Sequence, residues 1–188
     1  MSHLLLIRHG ETDWNVEGRW QGQADVALNS RGLLQAEQIA ESLCSVKIQA
    51  IYSSDLQRAL QTAEALARKK ELIVQIDPRL REIHQGEWQG LKIEEIETRY
   101  AQAFQERKQN PLYVAPPGGE TALQVQDRVL EALREISLHH VQDTVAVVSH
   151  GFSIAVALAW FYGRSIDNVW ELVPKNGAVI EIDTTIKL

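Results

Sequence analysis

The sequence predicts an α/β fold built on a mixed, mostly parallel sheet, and three observations point there. Short aliphatic or β-branched runs alternate along the chain with longer stretches of helical periodicity, the pattern of repeated βα units. Three of those runs end directly on arginine, histidine or serine, where the carboxyl ends of parallel strands open onto ligand sites. The composition, 188 residues with 45% hydrophobic and 23% charged, suits one substantial core and falls short of two. A single domain over residues 1–188 is therefore expected.

The first strand is read at residues 4–7, an unbroken apolar run as in a strand buried on both faces. Asn29-Ser30 supplies the N-cap of a helix that carries Leu33, Ala36, Ile39, Ala40 and Leu43 at helical spacing. A second strand covers residues 50–52. Ser54-Asp55-Leu56-Gln57 then reads as a capping box opening a helix with the stripe Leu56, Leu60, Ala63 and Ala67. A third strand is expected at residues 72–76. The stretch 91–108 is amphipathic, and the connection after it is punctuated by Pro111, Pro116, Pro117, Gly118 and Gly119. Residues 91–119 are thus expected to form an excursion over one face of the sheet, and a lid. Thr121 to Gln124 is another capping box, opening a helix with Val125, Val129, Leu133 and Ile136 on one side. Residues 144–148 form a β-branched strand. After a sharp polar turn, Ile154 to Leu158 begin an alanine-rich buried helix. Asn176-Gly177, between 170–173 and 178–182, reads as a two-residue hairpin turn at an antiparallel edge.

Composition also excludes. The formal charge of −6 argues against a nucleic-acid or acidic-membrane binder. The lone Cys44 cannot form an internal bridge, rules out four-cysteine zinc modules and fits a reducing, cytoplasmic setting. No basic leader or cleavage-type residues precede Arg8, so no signal peptide is expected. Residues 144–163 have the length of a membrane span, but Ser149-His150-Gly151 at their centre favours a strand, turn and helix.

The unusual residues sit just after strands. Arg8-His9-Gly10 follows the first, Ser53-Ser54 and then Arg58 the second, and Ser149-His150-Gly151 the valine-rich one. Singly each has a plain reading: a solvated turn for Arg8-His9, a surface helix arginine for Arg58, a satisfied core histidine for His150. Together, if the three strands are neighbours, they deliver two arginines and two histidines to one rim. Two guanidinium groups with helix N-terminal amides form a site for a multiply charged oxyanion such as phosphate. A metal site is the rival reading. It is disfavoured because Arg8 adjoins His9 and no HExxH spacing is present, and no metal or other cofactor is expected.

Further motifs recur in order: Arg8-His9-Gly10-Glu11-Thr12, Trp14-Asn15, Arg19-Trp20-Gln21-Gly22, Ser53-Ser54-Asp55-Leu56-Gln57-Arg58-Ala59, Leu80-Arg81-Glu82, Gly86-Glu87-Trp88-Gln89-Gly90, Pro117-Gly118-Gly119-Glu120-Thr121 and Ser149-His150-Gly151. This set, spanning nearly the whole chain, resembles the signature of the histidine phosphatase superfamily, the phosphoglycerate mutase-like proteins. The resemblance implies a three-layer α/β/α sandwich with a mixed, largely parallel sheet. It implies His9 as the phosphorylated nucleophile, Arg8, Arg58 and His150 as the phosphate pocket, and Glu82 as the proton donor. Asn15, Gln21 and Gly22 match positions that line such pockets, with Gly10 inside the first motif.

From the residues alone Glu82 and Glu87 are equal candidates, and the default for Glu82 is an ion pair with Arg79 or Arg81. His84 is a candidate for the substrate's polar end, against the commoner role of a solvated histidine. Trp14, Trp20 and Trp88 either wall the site or pack under loops. The expected chemistry is in-line displacement by neutral His9, its second nitrogen held by a backbone carbonyl. Arg8, Arg58, protonated His150 and the Gly151 amide would hold the phosphoryl oxygens, each charge-assisted bond contributing about 1.5 to 3 kcal/mol. The expected partner is a small-molecule phosphate monoester, neither nucleic acid nor membrane, and the chain acts as a monomer or homodimer. Members that transfer phosphate carry longer insertions and a covering tail, whereas this chain stops at Leu188 after its last expected strand. Hydrolysis is therefore expected over mutase activity, and over a silent phosphate-binding module. Broad monoester, α-ribazole 5′-phosphate and phosphoserine hydrolysis all stay open. Tyr100, Phe104, Arg107, Lys108 and Tyr113 on the excursion are the expected selectors.

Overall fold

A computed structural model describes residues 2–183, so the chain end at Leu188 lies outside the described residues. Five strands form one sheet: β1 (His3–Arg8), β2 (Ala50–Ser53), β3 (Val74–Ile76), β4 (Thr144–Ser149) and β5 (Val179–Asp183), ordered β3-β2-β4-β1-β5. The first four run parallel, with Leu6 opposite Val147 and Tyr52 also opposite Val147, while β5 lies antiparallel on β1 with Ile180 opposite Leu6.

The alternation of side chains along a strand separates two cores. Leu4 and Leu6 of β1 and Val145 and Val147 of β4 pack with α6 (Ala122–His139) and α7 (Gly151–Phe161). Leu5, Ile7, Ala146 and Val148 pack on the other face with α2 (Ser30–Ser42) and α3 (Gln57–Lys70). Helices on both faces make the three-layer sandwich, and they explain why β1 and β4 read as unbroken apolar runs. The membrane-length stretch divides into β4 and α7, a helix buried almost all round. Among the described residues no helix is long and apolar enough to cross a membrane.

Local signals hold where the partner groups lie within a turn. Asn29 accepts from Gly32 N at 2.8 Å and caps α2; Thr121 and Gln124 exchange the two bonds of a capping box at α6. Thr12 and Asn15 do the same for the short helix α1 (Asp13–Glu17), which the apolar pattern is too brief to announce. Elsewhere the expectations need correction. Ser54 does not cap α3; that helix starts at Gln57, whose amide donates to Asp25 Oδ1 from a distant loop at 2.7 Å. Leu33 stays exposed at the start of α2. The third strand is shorter than expected, beginning at Val74. No hairpin forms at Asn176-Gly177: residues 166–172 are 3₁₀-helical, and β5 finds its antiparallel partner in β1. The excursion contains α4 (Ile93–Arg99) and α5 (Ala101–Gln109), which build a small separate core of Trp88, Ile96 and Phe104.

The loop after β1 touches the first turn of α2 through two glycines. A Cβ on Gly32 would stand 2.0 Å from the Glu11 carbonyl oxygen, and one on Gly10 2.5 Å from that of Gly32. Gly32→Ala must push this loop off the helix. Urea unfolding should show a loss of about 1 to 3 kcal/mol; an unshifted midpoint would contradict the contact.

Candidate active site

Because β2, β4 and β1 are consecutive in the sheet, their carboxyl ends open on one rim. A pocket of about 370 Å³ lies there, lined by Arg8 at the end of β1 and His9 just after it, Arg58 in the first turn of α3, Glu82, and Gly151 and Phe152 at the start of α7. Asn15, Gln21 and Gly22 line it as the sequence indicated.

His9 is 2% exposed, and its Nδ1 lies 2.6 Å from the Gly10 carbonyl. A carbonyl only accepts, so Nδ1 carries the proton and Nε2 keeps its lone pair. Burial, and then the charges of Arg58 and Arg8, push the His9 pKa well below its ordinary value. The ring is therefore neutral at pH 7.

Arg58 is 1% exposed and donates to Gly22 O and Ala24 O, each at 2.7 Å. Arg8 donates to Pro174 O. Neither forms an ion pair among the described residues, although the Glu82 carboxylate acts on both through space, and the Nε of each is buried without a hydrogen-bond partner. Burial lowers the Arg58 pKa only to about 10, so its charge persists. Gly151 makes room for Arg8, since a Cβ there would lie 3.2 Å from the guanidinium carbon. The result is a wall of positive charge and unused N–H donors, suited to an oxyanion with several acceptor oxygens.

His150 is fully buried with its ring centroid 5.1 Å from that of His9. Its Nε2 lies 2.8 Å from Ser54 Oγ, and its Nδ1 has no partner. Here the expectation of a protonated His150 is corrected for the free protein: burial, then Arg58 and His9, hold its pKa well below the ordinary value.

Glu82 pairs with neither Arg79 nor Arg81, which bind Asp77 and Asp55 instead. Its carboxylate accepts from Phe152 N at 3.1 Å and Ser153 N at 3.2 Å, at the positive end of α7. Arg128 fixes the backbone before and at Glu82, donating to the carbonyls of Arg79, Arg81 and Glu82 while ion-paired to Glu120.

Gly10, His84 and the fully buried His150 are not among the residues that line the pocket. Gly10 acts from behind, its carbonyl on His9 and its amide on Thr62, and His84 accepts from Gly86 N. Glu87 is likewise absent from the lining. Trp20 walls the pocket, whereas Trp88 is buried under the excursion and Trp14 lies against Gly90. None of the excursion's residues lines this pocket. Sequence reasoning missed Phe152, Trp170 and Val173, which do. It also missed Asn176, whose Nδ2 donates to the carbonyls of His9 and Gly10 and to Asn15 Oδ1. The Asn-Gly pair was visible, but as a turn signal.

Two buried neutral histidines carry a consequence for stability. Their folded pKa values lie below the ordinary 6.5, so below that pH the unfolded chain binds more protons. Stability should fall as pH drops from about 6.5, by up to about 1.4 kcal/mol per pH unit for each histidine. His9→Gln should flatten the decline in urea titrations between pH 7 and 5, and an unchanged slope would contradict a neutral buried His9.

The family model "Histidine phosphatase superfamily (branch 1)" matches residues 4–187. Phosphoserine phosphatase 1 of Hydrogenobacter thermophilus is 36% identical over 90% of this chain and 81% of its own. Among solved structures, Bacillus stearothermophilus YhfR superposes with a TM-score of 0.89 at 38% identity, covering 97% of this chain and 91% of that one. A mycobacterial glucosyl-3-phosphoglycerate phosphatase in complex with VO3 gives 0.86 at 33% identity, covering 96% and 90%. With the family model spanning nearly every residue and the motifs gathered on one rim, the chain belongs to the histidine phosphatase superfamily.

Proposed function

We propose that this phosphatase hydrolyses small-molecule phosphate monoesters in two steps, through a phosphohistidine at His9 and without a metal ion. The observation that carries the reading is the neutral, Nδ1-protonated His9 set between two arginines that have no carboxylate partner among the described residues. Hydrolysis rather than transfer to a second substrate is supported by the relatives named as phosphatases. The single Cys44, exposed and free, supports a cytoplasmic setting.

In the first step Nε2 of His9 attacks phosphorus and the ester P–O bond breaks. Arg8 and Arg58 take the charge of the equatorial oxygens, a role a metal ion fills in other phosphoryl-transfer sites. His150 adds a donor through Nδ1 when the Ser54 hydroxyl donates to its Nε2. The positive charge gained by the phosphorylated imidazole is shared with the Gly10 carbonyl through Nδ1–H. Glu82, protonated by the monoanionic form of the ester, gives that proton to the departing alkoxide. In the second step Glu82 takes a proton from water, whose oxygen attacks phosphorus as the N–P bond breaks. Glu82 passes that proton to the departing phosphate, which leaves as its monoanion, and His9 and Glu82 return to their starting forms.

A metal-free screen over monoesters including O-phosphoserine, α-ribazole 5′-phosphate and 3-phosphoglycerate should release inorganic phosphate at a rate unchanged by chelator. The protein should trap an acid-labile phosphoryl group, and His9→Ala should lose both; a fully active His9→Ala protein would remove the nucleophile. Glu82→Gln should lower turnover of alkyl esters by about 10²- to 10⁴-fold and of p-nitrophenyl phosphate far less. Equal losses on the two substrates would sink the acid role of Glu82.

A further inference from the structure

A second cavity of about 400 Å³ adjoins the phosphate pocket, and Trp20 and Trp170 belong to the walls of both. Their rings lie 6.2 Å apart, so the two cavities meet at this aromatic pair. The second cavity is formed largely by the excursion, with Phe104, Arg107 and Lys108 of α5 in its wall.

Arg107 stands out there. It is 5% exposed, its guanidinium carbon lies 5.7 Å from the Trp88 ring centroid, and neither Nη1 nor Nη2 has a hydrogen-bond partner. Three other charged residues line the cavity: Lys108, Glu97 and Asp167. All three are exposed, and neither carboxylate pairs with Arg107; Asp167 instead accepts from the Ser165 hydroxyl. The exposed charges are screened by water, so the buried guanidinium sets the preference of the cavity. Burial lowers the Arg107 pKa only to about 10, which leaves it cationic at pH 7. A buried cation with both terminal nitrogens unpaired is costly unless an anion meets it, and its planar fork matches a carboxylate or phosphoryl group.

We infer that Arg107 is the recognition residue of a second subsite, which takes an anionic group at the end of the substrate remote from the scissile ester. The inference rests on the first pocket being the site of phosphoryl transfer. It deepens that reading by naming the substrate class: monoesters that carry a second negative charge beyond a linker long enough to pass Trp20 and Trp170.

The test compares kcat/KM of the wild-type protein on n-alkyl phosphates, ω-phosphooxy carboxylates and α,ω-bisphosphates of matched chain length, with p-nitrophenyl phosphate as a tail-less reference. At one chain length an anionic tail should raise kcat/KM by about tenfold to a hundredfold, and the carboxylate and phosphate arms report which anion is preferred. Arg107→Met keeps the contact with Trp88 and should erase that preference while p-nitrophenyl phosphate turnover stays within about twofold. Arg107→Gln, which keeps a polar end, should show the same selective loss and serves if the Met variant does not fold. A wild type that turns over p-nitrophenyl phosphate with no tail preference at any length would overturn the subsite alone. So would variants that slow every substrate equally, the mark of a purely structural strut. A wild type inactive on all of these esters would overturn the phosphatase reading together with it.

Discussion

The site depends on two guanidinium groups kept at a buried rim with no carboxylate in ion-pair contact among the described residues, Glu82 acting on both only through space. Arg58 is oriented by the carbonyls of Gly22 and Ala24, and Arg8 by that of Pro174. Carbonyl oxygens hold an arginine in place without cancelling its charge, so the field stays available to an incoming oxyanion. The same field does a second job. Together with burial it keeps His9 neutral, and an unprotonated imidazole is what a nucleophile at phosphorus must be. The charge that suits the rim to an anion thus adds to burial, the larger cause, in keeping the adjoining imidazole unprotonated.

Around this pair the backbone supplies most of the positioning. The Gly10 carbonyl sets the His9 tautomer, and the first amides of α7 receive Glu82. Asn176 reaches back from the segment before β5 to the carbonyls of His9 and Gly10. Arg128, paired to Glu120, ties down three carbonyls of the loop that bears Glu82. Backbone groups of a buried sheet and its helices cannot swing as side chains do, so the geometry is in place before substrate arrives.

The excursion between β3 and α6 makes a different contribution. Its helices enclose Trp88 in a small core beside the site, and none of their residues lines the phosphate pocket itself. In the proposed reading, phosphoryl chemistry and contact with the remainder of the substrate fall to separate parts of the chain. The first pocket lies on the rim of the sheet; the second cavity is walled by α5 and the tryptophan pair.

By itself the sequence determined β1 and β4 and the helices with short-range caps, and it singled out Arg8, His9, Arg58 and His150, which the fold carries to the carboxyl ends of neighbouring strands. Strands buried on both faces leave unbroken apolar runs, and a cap closes within one turn, so both are written locally. The choice of Glu82 over Glu87 came from the ordered motifs, and the structure gives its physical side, the amide end of α7. Tertiary structure alone decided the rest. It capped α3 with Asp25, turned Ser54 to His150, and sent β5 to β1 instead of into a hairpin. It also brought Trp170 and Val173 to the pocket from a 3₁₀ segment and its C-terminal end, a stretch that reads as a strand. Each of these joins groups far apart along the chain, and residue spacing carries no record of contacts that only the packing of sheet and helices creates.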